Sequence, residues 1–224
     1  MENELYFKRQ IELLGKESQA SLYSKRVLIV GCGGLGCSVA IAIGSSGIGH
    51  LDLIDFDEVS AHNLHRQIAF NIDNIGKNKS LVLKEFLLSR SPFTKVNNYP
   101  ISLADFSYND KKYDLIIDAT DNLETRVFID RLAKKHNTLW IYGTVEAFHG
   151  QVCFFENNSF EDIFQISEHK VKGIAAPMVM QIASLEANLA IRYLSGLPIK
   201  KDYLYYCYFD NYGEYSIQKF ALPK

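Results

Sequence analysis

No stretch of this sequence approaches the 18 or so uninterrupted apolar residues of a membrane span, so none is expected. The opening, MENELYFKRQIELLG, begins acidic and lacks a cationic region followed by an apolar core, so it does not read as a secretory signal. Cysteine is scarce. The four, at positions 32, 37, 153 and 207, form no CxxC pair. Buried, reduced thiols in a cytoplasmic protein are the expectation. Charge of one sign is also missing: 24 Lys and Arg face 26 Asp and Glu, for a net −2. There is no basic excess to meet nucleic acid and no like-charge block to form an interaction tail. The lysine pairs at 111–112, 134–135 and 200–201 read as solvated helix ends or turns. Neither an internal repeat nor a low-complexity segment is found.

What is present is an ordinary globular profile, 47% hydrophobic and 22% charged over 224 residues. That length suits one domain with a sizeable core, taken as 1–224. KRVLIVG (25–31), HLDLID (50–55), KVNNYPISL (95–103), YDLIIDATD (113–121) and TLWIYGT (138–144) read as strands, the third weaker than the rest. Between them lie helix-like segments after Gly31, at 77–91 and at 123–136. This alternation predicts an α/β fold with a doubly wound, mostly parallel sheet. Beyond residue 144 the pattern changes. GQVCFFE, YLYYCYF and EYSIQKFAL read as an antiparallel extension, around a long helix at 176–196. Residues 157–174 carry few structural signals and read as a connection.

GCGGLG (31–36) fits GxGxxG between a strand and a helix, which makes the fold Rossmann-like. Such glycines permit a tight turn and close approach of backbone amides to phosphate, with the helix N-terminus favouring the anion. Gly31, Gly33, Gly34 and Gly36 are therefore candidate cofactor-binding residues. Asp55 follows Gly36 by nineteen residues, close to the spacing of a ribose-binding acid. NAD binding would need no more than this. It leaves unexplained the rest of DFDEVSAHNLHRQ, where Asp57, His62, Asn63, Arg66 and Gln67 are further candidates, and Lys79 in GKNKS. Asp121 and Asn122, in DATDN, lie just past a strand's C-terminal end, where open α/β sheets bind ligands. Asp121 could equally cap the next helix.

Taken together, a ribose acid, phosphate-facing amides, two cations and a carboxylate for a divalent metal suit attack at a nucleotide phosphate. If a carboxylate attacks the α-phosphate of ATP, charge concentrates on that phosphate. Positioned Arg, Lys and Mg²⁺ stabilise it. Mg²⁺ at phosphates keeps most of its waters and takes few protein carboxylates, which gives Asp121 the metal role.

At these residues the sequence resembles the MoeB/ThiF/HesA family, bacterial relatives of ubiquitin-activating enzymes. FKRQI, VLIVGCGGLG, DFDEVSAHNLHRQ, IGKNKS, DATDN, GTVEAFHGQV and GIAAPMVMQIASLEA match its pattern in order, over nearly the whole chain. The resemblance implies MgATP-dependent adenylation of the C-terminal Gly-Gly carboxylate of a ubiquitin-fold sulfur carrier, in thiamine or molybdopterin biosynthesis. It gives Gly34, Asn63, Arg66 and Lys79 to the phosphates, Asp55 to the ribose and Asp121 to Mg²⁺. It also implies a homodimer in which Arg9 acts in the partner's ATP site. Residues 1–144 would then be the nucleotide-binding half and 145–224 the carrier-binding half, with a crossover at 157–174 over the carrier's tail.

One departure stands out. Many members carry two CxxC pairs for zinc, and some use a crossover cysteine in sulfur chemistry. Here ENNSFEDIFQISEHKVKGIAAP has no cysteine and no second pair precedes FALPK, so neither zinc nor a crossover thiol is expected. Cys153, inside an apolar strand, reads as core. His169 reads as a solvated loop residue rather than a polar stand-in near the tail. The competing functions are a tRNA-modifying dehydratase of the same superfamily, an inactive scaffold for a ubiquitin-fold partner, and an NAD dehydrogenase. The first fits NLHRQ and HGQV less well and has no basic surface for tRNA. The second should have lost Arg66, Lys79 or Asp121. The third lacks an evident hydride-transfer acid/base pair.

Overall fold

The computed structural model describes residues 3–108, 111–164 and 173–223. Eight strands form one sheet in the order β3-β2-β1-β4-β5-β6-β7-β8. The parallel part comprises β1 (Arg26–Val30), β2 (His50–Ile54), β3 (Lys95–Tyr99), β4 (Leu115–Asp118) and β5 (Trp140–Glu146). Beyond it β6 (His149–Phe155), β7 (Tyr203–Phe209) and β8 (Tyr215–Ala221) run antiparallel. β1 and β4 are neighbours, and the chain winds outward from them in both directions. Their C-terminal ends are the switch point at which such sheets bind ligands.

The central strands β1, β2 and β4 are buried on both faces because helices cover both. One face carries α4 (Gly34–Ser45), α5 (Lys79–Arg90) and α8 (Ala176–Leu194), which bury Val39, Ile43, Leu83, Leu87, Ile182 and Ala190 against Val27, Ile29, Leu51, Ile117 and Val152. The other carries α6 (Leu123–Lys135) and α7 (Phe160–Ile163), packing Val127, Ile129 and Phe160 on Leu28, Ile116, Trp140 and Phe155. Each fully buried aliphatic or Phe side chain contributes roughly 1.5–3 kcal/mol. Helices α1 (Asn3–Tyr6), α2 (Lys8–Leu14) and α3 (Lys16–Leu22) precede the sheet and were not apparent from the sequence pattern. Phe7 anchors them, 2% exposed among the rings of Tyr6, Tyr23 and Phe93.

Two expected strands are shorter than read. β3 stops at Tyr99 because Pro100 has no N–H for the ladder. The run expected to 121 yields strand only to Asp118, whose carboxylate turns back to accept from Thr120 N at 2.9 Å. Lys111 is also not simply solvated: its ammonium lies 4.5 Å from the Tyr99 ring centroid and 3.6 Å from the buried Asp52. All four cysteines are free and buried, as expected. Burial pushes the Cys37 thiol up to about 12 and holds Cys153 far above the usual thiol range. Neither is suited to act as a thiolate. Among the described residues, no helix is long and apolar enough to cross a membrane. His169 and residues 165–172 of the crossover lie outside the described residues.

Candidate nucleotide-binding site

An open cleft of about 980 Å³ lies along the C-terminal ends of β1, β2 and β4. The sequence order builds it directly. After β1, Gly31 turns the chain at φ +92°, where a Cβ would stand 2.6 Å from Ala119 O, so only glycine fits. At Gly36 a Cβ would meet Gly31 O at 2.0 Å, so the turn closes tightly under α4. Gly31, Gly33 and Gly34 line the cleft. Gly36 does not; it packs the turn from behind, against Gly31 O.

Asp55 follows β2. Its two oxygens accept from Cys32 N at 2.6 Å and Asp57 N at 2.8 Å, tying the second strand's end to the glycine turn. Burial pushes its pKa up, and the two backbone donors and the Lys79 charge pull the other way without cancelling the shift. Each oxygen keeps lone-pair capacity for a further donor such as a hydroxyl. The polar stretch after Asp57 includes a short 3₁₀ turn at Ala61–Asn63. It brings His62, Asn63, Arg66 and Gln67 to one wall. The Arg66 guanidinium donates to His62 O at 3.2 Å and contacts His65 Nε2 at 2.9 Å, both through Nη1, leaving its other donors without a partner among the described residues. Gln67 is 3% exposed, yet its Oε1 has no partner among the described residues. A buried orphan acceptor at a cleft wall is satisfied from the cleft, by water or by a ligand.

Lys79 opens α5, whose N-cap Asn78 accepts from Leu81 N at 3.1 Å. The Lys79 ammonium reaches back to Asp57 Oδ2 at 2.7 Å. On the opposite wall, α6 begins after Asn122, whose side chain accepts from Thr125 N at 2.9 Å. Asn122 is therefore the cap. That leaves the exposed Asp121 carboxylate facing the cleft, with no hydrogen bond of its own among the described residues.

Beneath Asp121 lies a pair that sequence reading missed. Buried Asp118 binds Arg126 Nε at 3.0 Å, and Arg126 also donates to Thr120 O at 2.6 Å and Gly143 O at 3.3 Å. Burial opposes the guanidinium's charge, but the Asp118 carboxylate, with Tyr142 and Asp121 adding to it, more than offsets the loss and holds the pKa above its ordinary value. The pair fixes the backbone that presents Asp121. The signal was available: an acid at the end of the buried run LIID needs a cation, and Arg126 is the first to follow it. Ile101, Leu103 and Phe128 form an apolar end of the cleft and were also missed, because isolated apolar residues in a loop and on a helix carry no pattern.

Arg9 does not reach the cleft of its own chain. It is an exposed residue of α2, paired with Glu12 at 2.9 Å. Of the expected site residues, only Arg9 and Gly36 lie off the cleft wall.

A parallel sheet with a charged cleft at its switch point and an antiparallel extension defines the class. The ThiF family profile matches residues 7–224, and the chain belongs to the ThiF family. Among curated relatives it is 32% identical over 194 residues to the adenylyltransferase and sulfurtransferase MOCS3 of Dictyostelium discoideum, covering 81% of this chain and 46% of that protein. It is 32% identical over 146 residues to a sulfur carrier protein adenylyltransferase of Thermus thermophilus, covering 64% of this chain and 54% of that one. The chain thus spans about half the length of these relatives. Its fold is similar to that of E. coli MccB, at a TM-score of 0.86 and 21% identity over 98% of this chain and 72% of the other. PaaA is similar at a TM-score of 0.83 and 21% identity, covering all of this chain and 75% of that one.

Proposed function

We propose that this chain uses ATP to adenylate the C-terminal glycine carboxylate of a ubiquitin-fold sulfur carrier. One observation carries the reading: Asp55, Arg66, Lys79 and Asp121 converge on a single cleft around the glycine turn. A carboxylate oxygen of the carrier forms a bond to the α-phosphorus, the bond from that phosphorus to the bridging oxygen breaks, and pyrophosphate leaves with the electron pair. No proton need move. Arg66 and Lys79 offset the charge that gathers on the phosphates, Asn63 and the turn amides orient them, and Asp55 holds the ribose. The orphan Gln67 Oε1 accepts from the bound ligand.

The donor set fits Mg²⁺. Asp121 offers one open carboxylate, and no group of three or more His, Cys, Asp and Glu among the described residues could form an all-protein cage. Mg²⁺ takes few carboxylates and completes its shell with phosphate and water. Bound there, it would neutralise phosphate charge.

Residues 145–224 would receive the carrier. The outer face of β6 and β7 supports this with a stacked ladder of His149, Tyr206 and Tyr208, open to one side of the sheet. The names of the relatives from Thermus thermophilus and of the molybdopterin-synthase adenylyltransferases support the same acceptor class. A homodimer completes the site in this reading, with Arg9 entering the partner's cleft; its exposure, with Glu12 its one ion-pair partner among the described residues, favours that.

Isothermal titration with MgATP and with NAD tests the nucleotide. ATP alone should bind, and binding of NAD alone would overturn the reading. Mixing Arg9→Ala with Asp121→Ala tests the shared site. Random pairing makes about half the dimers mixed, each with one working site, so activity should return to roughly a quarter of wild type. No recovery after verified subunit exchange would refute Arg9 in trans.

A further inference from the structure

Lys79 is only 7% exposed, and the Asp57 carboxylate at 2.7 Å is its one ion-pair partner among the described residues. A cation so withdrawn from water needs a counter-charge. Asp57 is placed differently. Its side chain is 50% exposed, and both residues line the cleft. The Asp57 backbone, by contrast, is fixed. Its N–H donates to Asp55 Oδ1 at 2.8 Å, and its carbonyl accepts from Lys79 N at 2.9 Å and Asn78 Nδ2 at 3.1 Å. Only the Asp57 carboxylate is free to swing. A polyphosphate entering the cleft would seek the same ammonium that this carboxylate holds.

We propose that Asp57 is a positioning residue that keeps Lys79 aimed at the phosphate site and competes with the polyphosphate for it. The inference rests on the nucleotide reading above. In the empty cleft Asp57 keeps the ammonium paired and in place. When phosphates arrive the carboxylate yields Lys79 or shares it, since an ammonium has three donors. After adenylation the same carboxylate draws Lys79 back and weakens the hold on pyrophosphate. Asp57 therefore lowers polyphosphate affinity while keeping the site assembled. A residue that served only to fold the loop would raise affinity or leave it unchanged.

The test is titration of wild type and Asp57→Asn with MgATP, magnesium pyrophosphate and adenosine. Asparagine keeps the shape and every backbone bond but removes the charge. Affinity for pyrophosphate and ATP should rise about three- to fivefold, the upper end of the scale for a half-exposed ion pair, while adenosine affinity stays put. In a Lys79→Met background the same substitution should gain no more than about twofold, because the contested cation is gone. Asp57→Ser carries the same expectations should the asparagine variant fold poorly. Unchanged or weaker polyphosphate affinity in a folded variant would overturn the proposal, as would an equal gain without Lys79. Wild type that binds MgATP beside an unresponsive variant sinks this inference alone. Wild type that binds neither ATP nor pyrophosphate sinks the nucleotide reading and this inference with it.

Discussion

The two halves of the sheet solve different problems with the same hydrogen-bonded framework. In the parallel half charged groups just past the strands are tied down: Asp55 to the glycine turn, Asp57 to Lys79, Asp118 to Arg126. The antiparallel half is looser at its edge. β8 is largely exposed along its length, with Ile217 and Phe220 about half exposed, and the β7 tyrosines stand partly open. Fixed chemistry needs charges that do not reorganise, and a partner-binding face needs apolar surface left uncovered.

The sharpest way to break the contrast is to cut a tie in the parallel half. Arg126→Met leaves Asp118 buried and unpaired, and should cost about 3–5 kcal/mol of stability in denaturant titration. A loss under about 1 kcal/mol would remove the pair from the framework. Arg66→Ala and Asp121→Ala act on the chemistry instead. Both side chains reach the cleft without belonging to the core, so each should lower adenylation about 10²–10³-fold with the melting temperature nearly unmoved.

The antiparallel face should answer differently. Replacing Tyr206 and Tyr208 together with serine should weaken carrier binding by roughly tenfold or more, on the scale of lost aromatic contacts, while ATP affinity stays unchanged. An equal loss of ATP binding would show that the two halves are not separable in this way.

The smallest effect concerns Glu186, on α8 under the junction of the halves. Both its oxygens are buried without a partner among the described residues, packed against Gly143. Burial first, then the Asp118 charge, push its carboxyl well above its ordinary 4.5, with Arg126 opposing. A raised acid favours the fold below its unfolded pKa, and that contribution is lost as pH rises through the folded value. Glu186→Gln cannot ionise, so its stability relative to wild type should grow as pH climbs above about 4.5, by denaturant titration across pH. A difference that stays flat with pH would show that Glu186 does not titrate in that range.

The parallel half was the more legible in sequence, for physical reasons. Its central strands β1 and β4 are nearly unbroken apolar runs, and its site rests on glycines and charges at fixed offsets from strand ends. Asp55, Lys79 and Asp121 could be placed that way because backbone geometry carries them. Arg126 was not read, since its role appears only when Asp118 is known to be buried. The N-terminal helices escaped because each is at most seven residues long and Gly15, at φ +83°, separates α2 from α3. Isolated helices that short are marginal; Phe7 and its aromatic neighbours stabilise them through packing no local pattern announces. Gly36 was assigned to the ligand because it belongs to the motif, although its place inside the turn comes from Gly31 O above it.

Exchange of labelled pyrophosphate into ATP tests the central claim most directly, run with a ubiquitin-fold carrier ending in Gly-Gly and with the same carrier lacking its last glycine. The account predicts exchange that requires the intact carrier and MgATP, and that disappears in Asp121→Ala. Exchange at equal rate without the carrier's terminal carboxylate, or none with any Gly-Gly carrier while ATP binds, would contradict it.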